Sequence, residues 1–320
     1  MQDTRLEVTQ SLKTQVMRAI IVPTDFSNPS KNAARFALNL AIWLKADLHL
    51  CHAYNIPVES PMMGEVPWTL PGLPDVKKDT EKALKKLAKA LETKENILQD
   101  DDPALFRPAI TWSCAQTDLV TLIHDTANST KAILVVMGMT GSGKLNRLLF
   151  GSSSVKMINE SKYPLLIVPH DHRYRKIEKI AFATDLSKRD QKTAQSIARF
   201  AEYFDAELMV SYVTGFSDLV NELVYLHKKD EFIKNIEGKV TYLPIEVVGV
   251  NTGLGVLRYK DVDLVVMGHE RKSFFERLTT GSHSAALARK VQMPLMVIPE
   301  GLPCSSDTIN DQIKYCRPFF

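Results

Sequence analysis

The run Leu134-Val135-Val136-Met137-Gly138 occurs a second time as Leu264-Val265-Val266-Met267-Gly268, 130 positions later. At the same offset Gly151-Ser152 falls on Gly281-Ser282, Pro164-Leu165 on Pro294-Leu295, and Pro169 on Pro299. Further upstream the offset is 160. There Thr24-Asp25-Phe26-Ser27 falls on Thr184-Asp185-Leu186-Ser187, and Ala34, Ala41, Ala46 and Leu48 fall on Ala194, Ala201, Ala206 and Leu208. A block that returns in order, with its spacing kept, folds the same way each time, so the chain reads as a tandem repeat of one domain. Its 320 residues match about two domains of roughly 150 each, and each is long enough to bury its own core. The two offsets differ by 30, which places an insertion of about that net size in the first copy, between its second and fourth strands.

Each copy alternates short apolar runs with amphipathic stretches. In the first, strands are expected at Ala19–Thr24, Leu48–Ala53, Phe106–Trp112, Ala132–Met137 and Leu165–Val168. In the second they are expected at Ile180–Thr184, Leu208–Val213, Val240–Val248, Leu264–Met267 and Leu295–Ile298. Apolar runs without alternation suit strands buried on both faces, as in a parallel sheet. Between the first two strands Ala33, Ala37, Leu40, Ala41 and Leu44 recur at helical spacing; Ser27 or Asn28 can cap that helix, with Pro29 in its first turn. The pattern predicts a doubly wound α/β domain used twice. The boundary is expected near His170–Lys176, giving domains at 1–172 and 173–300 and a polar tail at 301–320.

Composition narrows the function classes. Hydrophobic residues make up 45% and charged residues 24%, ordinary values for a globular chain. A net charge of +3 is too small to argue for nucleic acid or an anionic membrane. There is no run of 18 apolar residues, and the N-terminal stretch lacks an apolar signal core. Cys51, Cys114, Cys304 and Cys316 follow no metal-binding spacing, and a reduced, cytoplasmic setting is expected. The segment Asn55–Asp75 holds five prolines with Met62, Met63 and Trp68, and reads either as a contact surface or as a plain surface excursion. The lysines that follow it (Lys77, Lys78, Lys82, Lys85, Lys86 and Lys89) read as a solvated helix face.

The stretch Gly138-Met139-Thr140-Gly141-Ser142-Gly143-Lys144-Leu145 comes close to a P-loop. The motif needs Ser or Thr after the lysine to ligate Mg²⁺, and Leu145 removes that group. In the second copy Gly143 and Lys144 become Ser273 and Phe274, whereas Gly138, Arg147 and Gly151-Ser152 are kept as Gly268, Arg277 and Gly281-Ser282. The Gly-Lys pair is therefore read as incidental. The outer frame, Gly138-x2-Gly141-x9-Gly151-Ser152, can cradle a phosphate differently. Gly138 and Gly141 can take positive φ and turn backbone N–H groups towards an anion, and Gly151-Ser152-Ser153-Ser154 opens a helix whose free amides favour phosphate. Lys144 and Arg147 lie in the connecting loop and can screen charge.

These motifs, in order and mostly present twice, resemble the universal stress protein family over nearly the whole chain. The residues that carry the resemblance are Val22-Pro23-Thr24-Asp25-Phe26-Ser27, Val136-Met137-Gly138, the Gly-x2-Gly-x9-Gly-Ser frame, and Pro164 through Pro169. The resemblance implies a five-stranded parallel sheet in each domain (the adenine-nucleotide α-hydrolase-like fold) and nucleotide binding where the glycine frame is kept. Carried over, Pro23, Thr24 and Asp25 line the adenosine end. Met137, Gly138, Gly141, Gly151, Ser152 and Ser153 surround ribose and phosphates. The competing reading of Asp25 is a strand-end carboxylate capping the following helix. The resemblance also implies that the two domains pair within the chain through their last strands; a homodimer is left open.

The second copy reads Gly268-His269-Glu270-Arg271, with Arg271 at the position of Gly141. If that position is left-handed, a side chain there costs about 1–2 kcal/mol, roughly tenfold in affinity. The expected ligand is thus one ATP or related adenine nucleotide in the first domain, with Mg²⁺ carried on the phosphates beside Asp25. The second domain is expected to be a degenerate partner. No catalytic or metal-ligating set stands out: His52 is expected in the core, and His269 and His283 lack an orienting partner. The function expected is a nucleotide-dependent stress-response regulator, without nucleic-acid or membrane partners. The alternatives are a nucleotide-free protein-interaction module of the same fold and a slow ATPase.

Overall fold

The computed structural model describes residues 18–54, 75–102, 104–139, 141–142, 147–148, 152–184, 186–212, 229–234, 236–243, 262–268 and 293–299. The first half runs β1 (Ala19–Pro23), α1 (Asn28–Leu44), β2 (Asp47–Ala53), α2 (Val76–Asp101), β3 (Ile110–Ala115), α3 (Leu119–Thr130) and β4 (Ala132–Met139). It continues through two short strands, β5 (Gly141–Ser142) and β6 (Arg147–Leu148), to α4 (Ser152–Glu160) and β7 (Leu165–Pro169). The second half supplies β8 (Lys179–Thr184), α5 (Lys188–Glu202), β9 (Glu207–Tyr212), β10 (Val240–Leu243), β11 (Leu264–Gly268) and β12 (Leu295–Ile298).

The halves build one ten-stranded sheet in the order β10-β9-β8-β11-β12-β7-β4-β1-β2-β3. Each half is all-parallel with its own strands in the order third, second, first, fourth, fifth, a doubly wound arrangement used twice. The halves meet at their last strands. β12 pairs with β7 antiparallel, with Leu295 opposite Ile167, Met296 opposite Leu166 and Val297 opposite Leu165. These are the same two edges, self-complementary about a local dyad.

The apolar runs form strands because both faces are covered. On one face α1, α2 and α5 bury Ile20, Val22, Leu48, Leu50, Leu134, Ile180, Phe182 and Leu208 in a core that spans both halves. On the other, α3 and α4 cover Ile21, Cys51, Val135, Met137 and Ile167. Ser27, not Asn28, caps α1: its hydroxyl accepts from Ser30 N at 3.3 Å, with Pro29 in the first turn. The connection between the halves crosses α1, where Asn32 Nδ2 donates to the carbonyls of Pro169 (3.2 Å) and His172 (2.9 Å), and Phe36 packs edge-on against Tyr174.

One sequence expectation needs correction here. The third strand, expected at Phe106–Trp112, is observed at Ile110–Ala115. Pro108 has no N–H to give to a ladder, and pairing starts only where Ala109 donates to Asp47 Oδ1 and its carbonyl accepts from Leu48. The segment Asn55–Pro74, the C-terminal part of the strand expected at Val240–Val248, and the 301–320 tail lie outside the described residues.

Candidate functional site

β1 and β4 are neighbours, and the chain order of strands reverses between them. In open α/β sheets the crevice beyond the carboxyl ends of such a pair is where ligands bind. Pro23 ends β1, fully within the sheet. Thr24 follows at 4% exposure, and its hydroxyl is 3.0 Å from that of Ser30 on the first turn of α1. The same hydroxyl accepts from Phe26 N at 3.0 Å. Phe26 has φ 63, a left-handed conformation that costs a side-chain-bearing residue about 1–2 kcal/mol. Asp25 stands exposed at the tip of this turn, and its Oδ1 accepts from Ser27 N at 3.0 Å. Asp25 thus closes the turn, while the capping of the helix itself falls to Ser27. Partial burial pushes the Asp25 carboxyl up, but hydrogen bonding to Ser27 and Ser30 outweighs it and holds the group below the usual carboxylate range.

On the other side of the crevice Met137 is buried in β4, and Gly138 follows it. The expected positive φ at Gly138 is not found; among the described residues the one glycine with positive φ is Gly238. Gly138 is required for another reason. A Cβ there would lie 2.4 Å from the Pro29 carbonyl oxygen and 2.8 Å from Ser30 N. The missing side chain lets the start of α1 rest directly on the end of β4, which brings Thr24, Ser30 and Gly138 into one continuous wall.

Beyond β4 the chain doubles back. Gly141 pairs with Leu148 and Ser142 with Arg147 in a two-stranded antiparallel ladder. Gly141 is therefore extended, not left-handed, so a side chain at this point of the repeat would carry no left-handed strain, contrary to the expectation for Arg271. The ladder also answers the P-loop question. Gly143 and Lys144 lie outside the described residues, between β5 and β6 in chain order, and the next described helix, α4, begins only at Ser152. Ser152 and Ser153 are placed at that helix start, as expected; Gly151 and Lys144 lie outside the described residues. α4 is tied to α3 through Lys156 Nζ, 3.1 Å from Asp118 Oδ1. The Asp118 carboxyl also caps α3 and binds the Thr121 hydroxyl; this bond first, then Lys156, brings its pKa down to about 2.

The second half repeats the turn and changes one group. Thr184 is fully buried, Leu186 N donates to its hydroxyl at 2.9 Å, and Leu186 has φ 60. At the position of Ser30, however, stands Asp190, whose Oδ2 accepts from the Thr184 hydroxyl at 2.6 Å. A Cβ on Gly268 would meet Asp190 Oδ1 at 3.7 Å, ordinary contact. A carboxylate thus occupies the wall where the first half has a hydroxyl, and an anionic ligand would be repelled there. Arg271, His269 and His283 lie outside the described residues.

Sequence reasoning missed Ser30, although its replacement by Asp190 was visible in the repeat. It also misjudged which histidine is interior. His49 is the buried one, 9% exposed, with ring nitrogens 2.8 Å from the Thr111 hydroxyl and 2.9 Å from that of Ser113. His52 is half-buried at the carboxyl end of β2, beside Thr24. The described residues contain no group of three or more His, Cys, Asp or Glu able to hold a metal ion, and no helix long and apolar enough to cross a membrane.

Comparison with known proteins places this architecture. The model of the universal stress protein family matches twice, over residues 17–169 and 176–299. Universal stress protein MJ0531 of Methanocaldococcus jannaschii is 29% identical over 154 residues, 47% of this chain and 81% of its own length. A universal stress protein from Archaeoglobus fulgidus DSM 4304 shares the fold over 88% of this chain and 98% of its own, at 19% identity and a TM-score of 0.53. A universal stress protein solved in complex with cAMP is 24% identical, over 48% of this chain and 97% of its own, with a TM-score of 0.32. With both halves matched by the family model and paired through their last strands, the chain belongs to the universal stress protein family, as a tandem of two such domains.

Proposed function

We propose that the first half binds one adenine nucleotide, ATP in the first instance, in the crevice beyond β1 and β4, and that the second half serves mainly as a structural partner. In this reading Pro23, Thr24 and Asp25 line the adenosine end. Met137, Gly138, Gly141, Gly151, Ser152 and Ser153 surround ribose and phosphates. The observation that supports it best is the wall formed by Thr24, Ser30 and Gly138 at the strand-order reversal, hydroxyl-lined in the first half and carboxylate-lined in the second. The amides at the start of α1 are already engaged: Ser30 N donates to Ser27 Oγ and Lys31 N to Ser27 O. The phosphates therefore belong with α4, whose first amides have no intrahelical acceptor. Mg²⁺, if carried on the phosphates, has one carboxylate in reach of this reading, Asp25, and supplies charge neutralisation only. The role proposed with it is that of a regulator responding to adenine nucleotide in a cytoplasmic setting, with domains divided at 172/173.

Isothermal calorimetry on the full chain tests it. The expected result is close to one ATP per chain, abolished by Gly141→Arg, which places a long side chain at a position this reading gives to ribose and phosphates. No heat with the wild-type chain, or unchanged binding in Gly141→Arg, would defeat the reading.

A further inference from the structure

We propose that His52 is the positioning residue of the Thr24–Phe26 turn, holding the adenosine end of the first-half site in its binding shape; this rests on the nucleotide reading above. His52 lies on β2, the strand next to β1, and its Nδ1 is 2.6 Å from the Thr24 carbonyl oxygen. A carbonyl only accepts, so Nδ1 carries the hydrogen, and the imidazole is fixed in the tautomer that donates from that atom. The ring also packs on Phe26, with centroids 4.8 Å apart and planes inclined by 34°. One side chain thus grips both ends of the turn. It takes the carbonyl before Asp25 and covers the left-handed residue after it.

The remaining bonds of the turn are local or belong to the sheet. Thr24 N donates to Cys51 O at 2.9 Å as the last rung of the ladder, and Phe26 N to the Thr24 hydroxyl at 3.0 Å. Without His52 the peptide between Thr24 and Asp25 has no side chain from another element on its carbonyl among the described contacts. That peptide orients Asp25.

The repeat supplies an internal control. At the offset of 160, His52 falls on Tyr212. The second half nonetheless builds the same left-handed turn at Leu186, with the same bond to Thr184. The imidazole is therefore not needed to form the turn. It is found in the half with the hydroxyl wall and the intact glycine frame, and is replaced in the half with Asp190 in that wall. A donor from the neighbouring strand and a ring packed on the left-handed residue stiffen the geometry, which is what a preorganised site requires.

ATP titrations of the wild type, His52→Leu, His52→Phe and His52→Asn by calorimetry, with melting temperatures on the same samples, test the proposal. His52→Leu removes donor and ring and is expected to weaken ATP binding by roughly tenfold, the order of one net hydrogen bond. His52→Phe keeps the ring contact without the donor and should lose nearly as much. His52→Asn restores a short N–H donor and should recover most of the affinity. A merely structural role would lower the melting temperature in parallel with affinity and would not be rescued selectively by asparagine. Wild-type heat that is unchanged in His52→Leu overturns the role of His52 alone, whereas absence of heat in the wild type overturns the nucleotide reading itself.

Discussion

Gly138 and Gly268 occupy the same point of the repeat, yet among the described residues steric crowding requires glycine only at Gly138. A Cβ at Gly138 would meet the Pro29 carbonyl oxygen at 2.4 Å, and its three nearest atoms are all backbone of Pro29 and Ser30; at Gly268 the nearest atom among the described residues is Asp190 Oδ1 at 3.7 Å. Gly138→Ala is therefore expected to destabilise the chain by about 1–3 kcal/mol, the usual cost of forcing a methyl into packed backbone. Gly268→Ala should change stability by less than about 0.5 kcal/mol. Urea denaturation midpoints of the two variants check this, and equal losses would refute the asymmetry. Both glycines were legible in the sequence as a repeated frame, but the reason for the first was not. Sequence reasoning pointed to positive φ, whereas the cause is the approach of α1, which depends on where a separate element comes to rest.

At the scale of elements, β2 and β3 form the outer edge of the first half, and His49 stitches them together through the Thr111 and Ser113 hydroxyls. Burial disfavours the imidazolium and lowers the His49 pKa below 6.5. The sign follows from proton counting. Between the depressed folded value and about 6.5 the unfolded chain binds more protons, so stability falls as pH falls through that window. Acidification from about pH 7.5 to 5.5 should lower the urea midpoint, with a contribution from this one group of at most about 1.4 kcal/mol per pH unit. His49→Asn should be less stable at neutral pH but show a shallower loss on acidification. A slope equal to that of the wild type would rule out His49 as its source. The apolar run Leu48–Ala53 announced the strand but not this polar stitch, because Thr111 and Ser113 are 62 and 64 residues away and only the parallel register sets Thr111 opposite His49 and Ser113 two places further along the same strand.

Taken whole, the molecule is two copies of one domain sharing a sheet and a core. The β7–β12 ladder joins ten strands into one sheet, and Trp43 of α1 lies 6.3 Å ring to ring from Phe204 at the end of α5. Placing a charge in that seam should separate the halves. Leu166→Asp, at a position 1% exposed and opposite Met296, should cost several kcal/mol and convert one cooperative calorimetric transition into two. A single transition in this variant would show that the halves do not depend on the seam. The sequence alone determined the duplication, the apolar strands, a helix capped by Ser27 or Asn28 and the glycine-serine frame, because each is written in local spacing and in residues whose preferences are intrinsic. Only the tertiary structure decided that α1 rests on Gly138, that Gly141-Ser142 pairs back on Arg147-Leu148, and that Ser30 and His52 reach Thr24. Those contacts join residues far apart in the chain, and their geometry follows from strand order and helix docking, which no local pattern encodes.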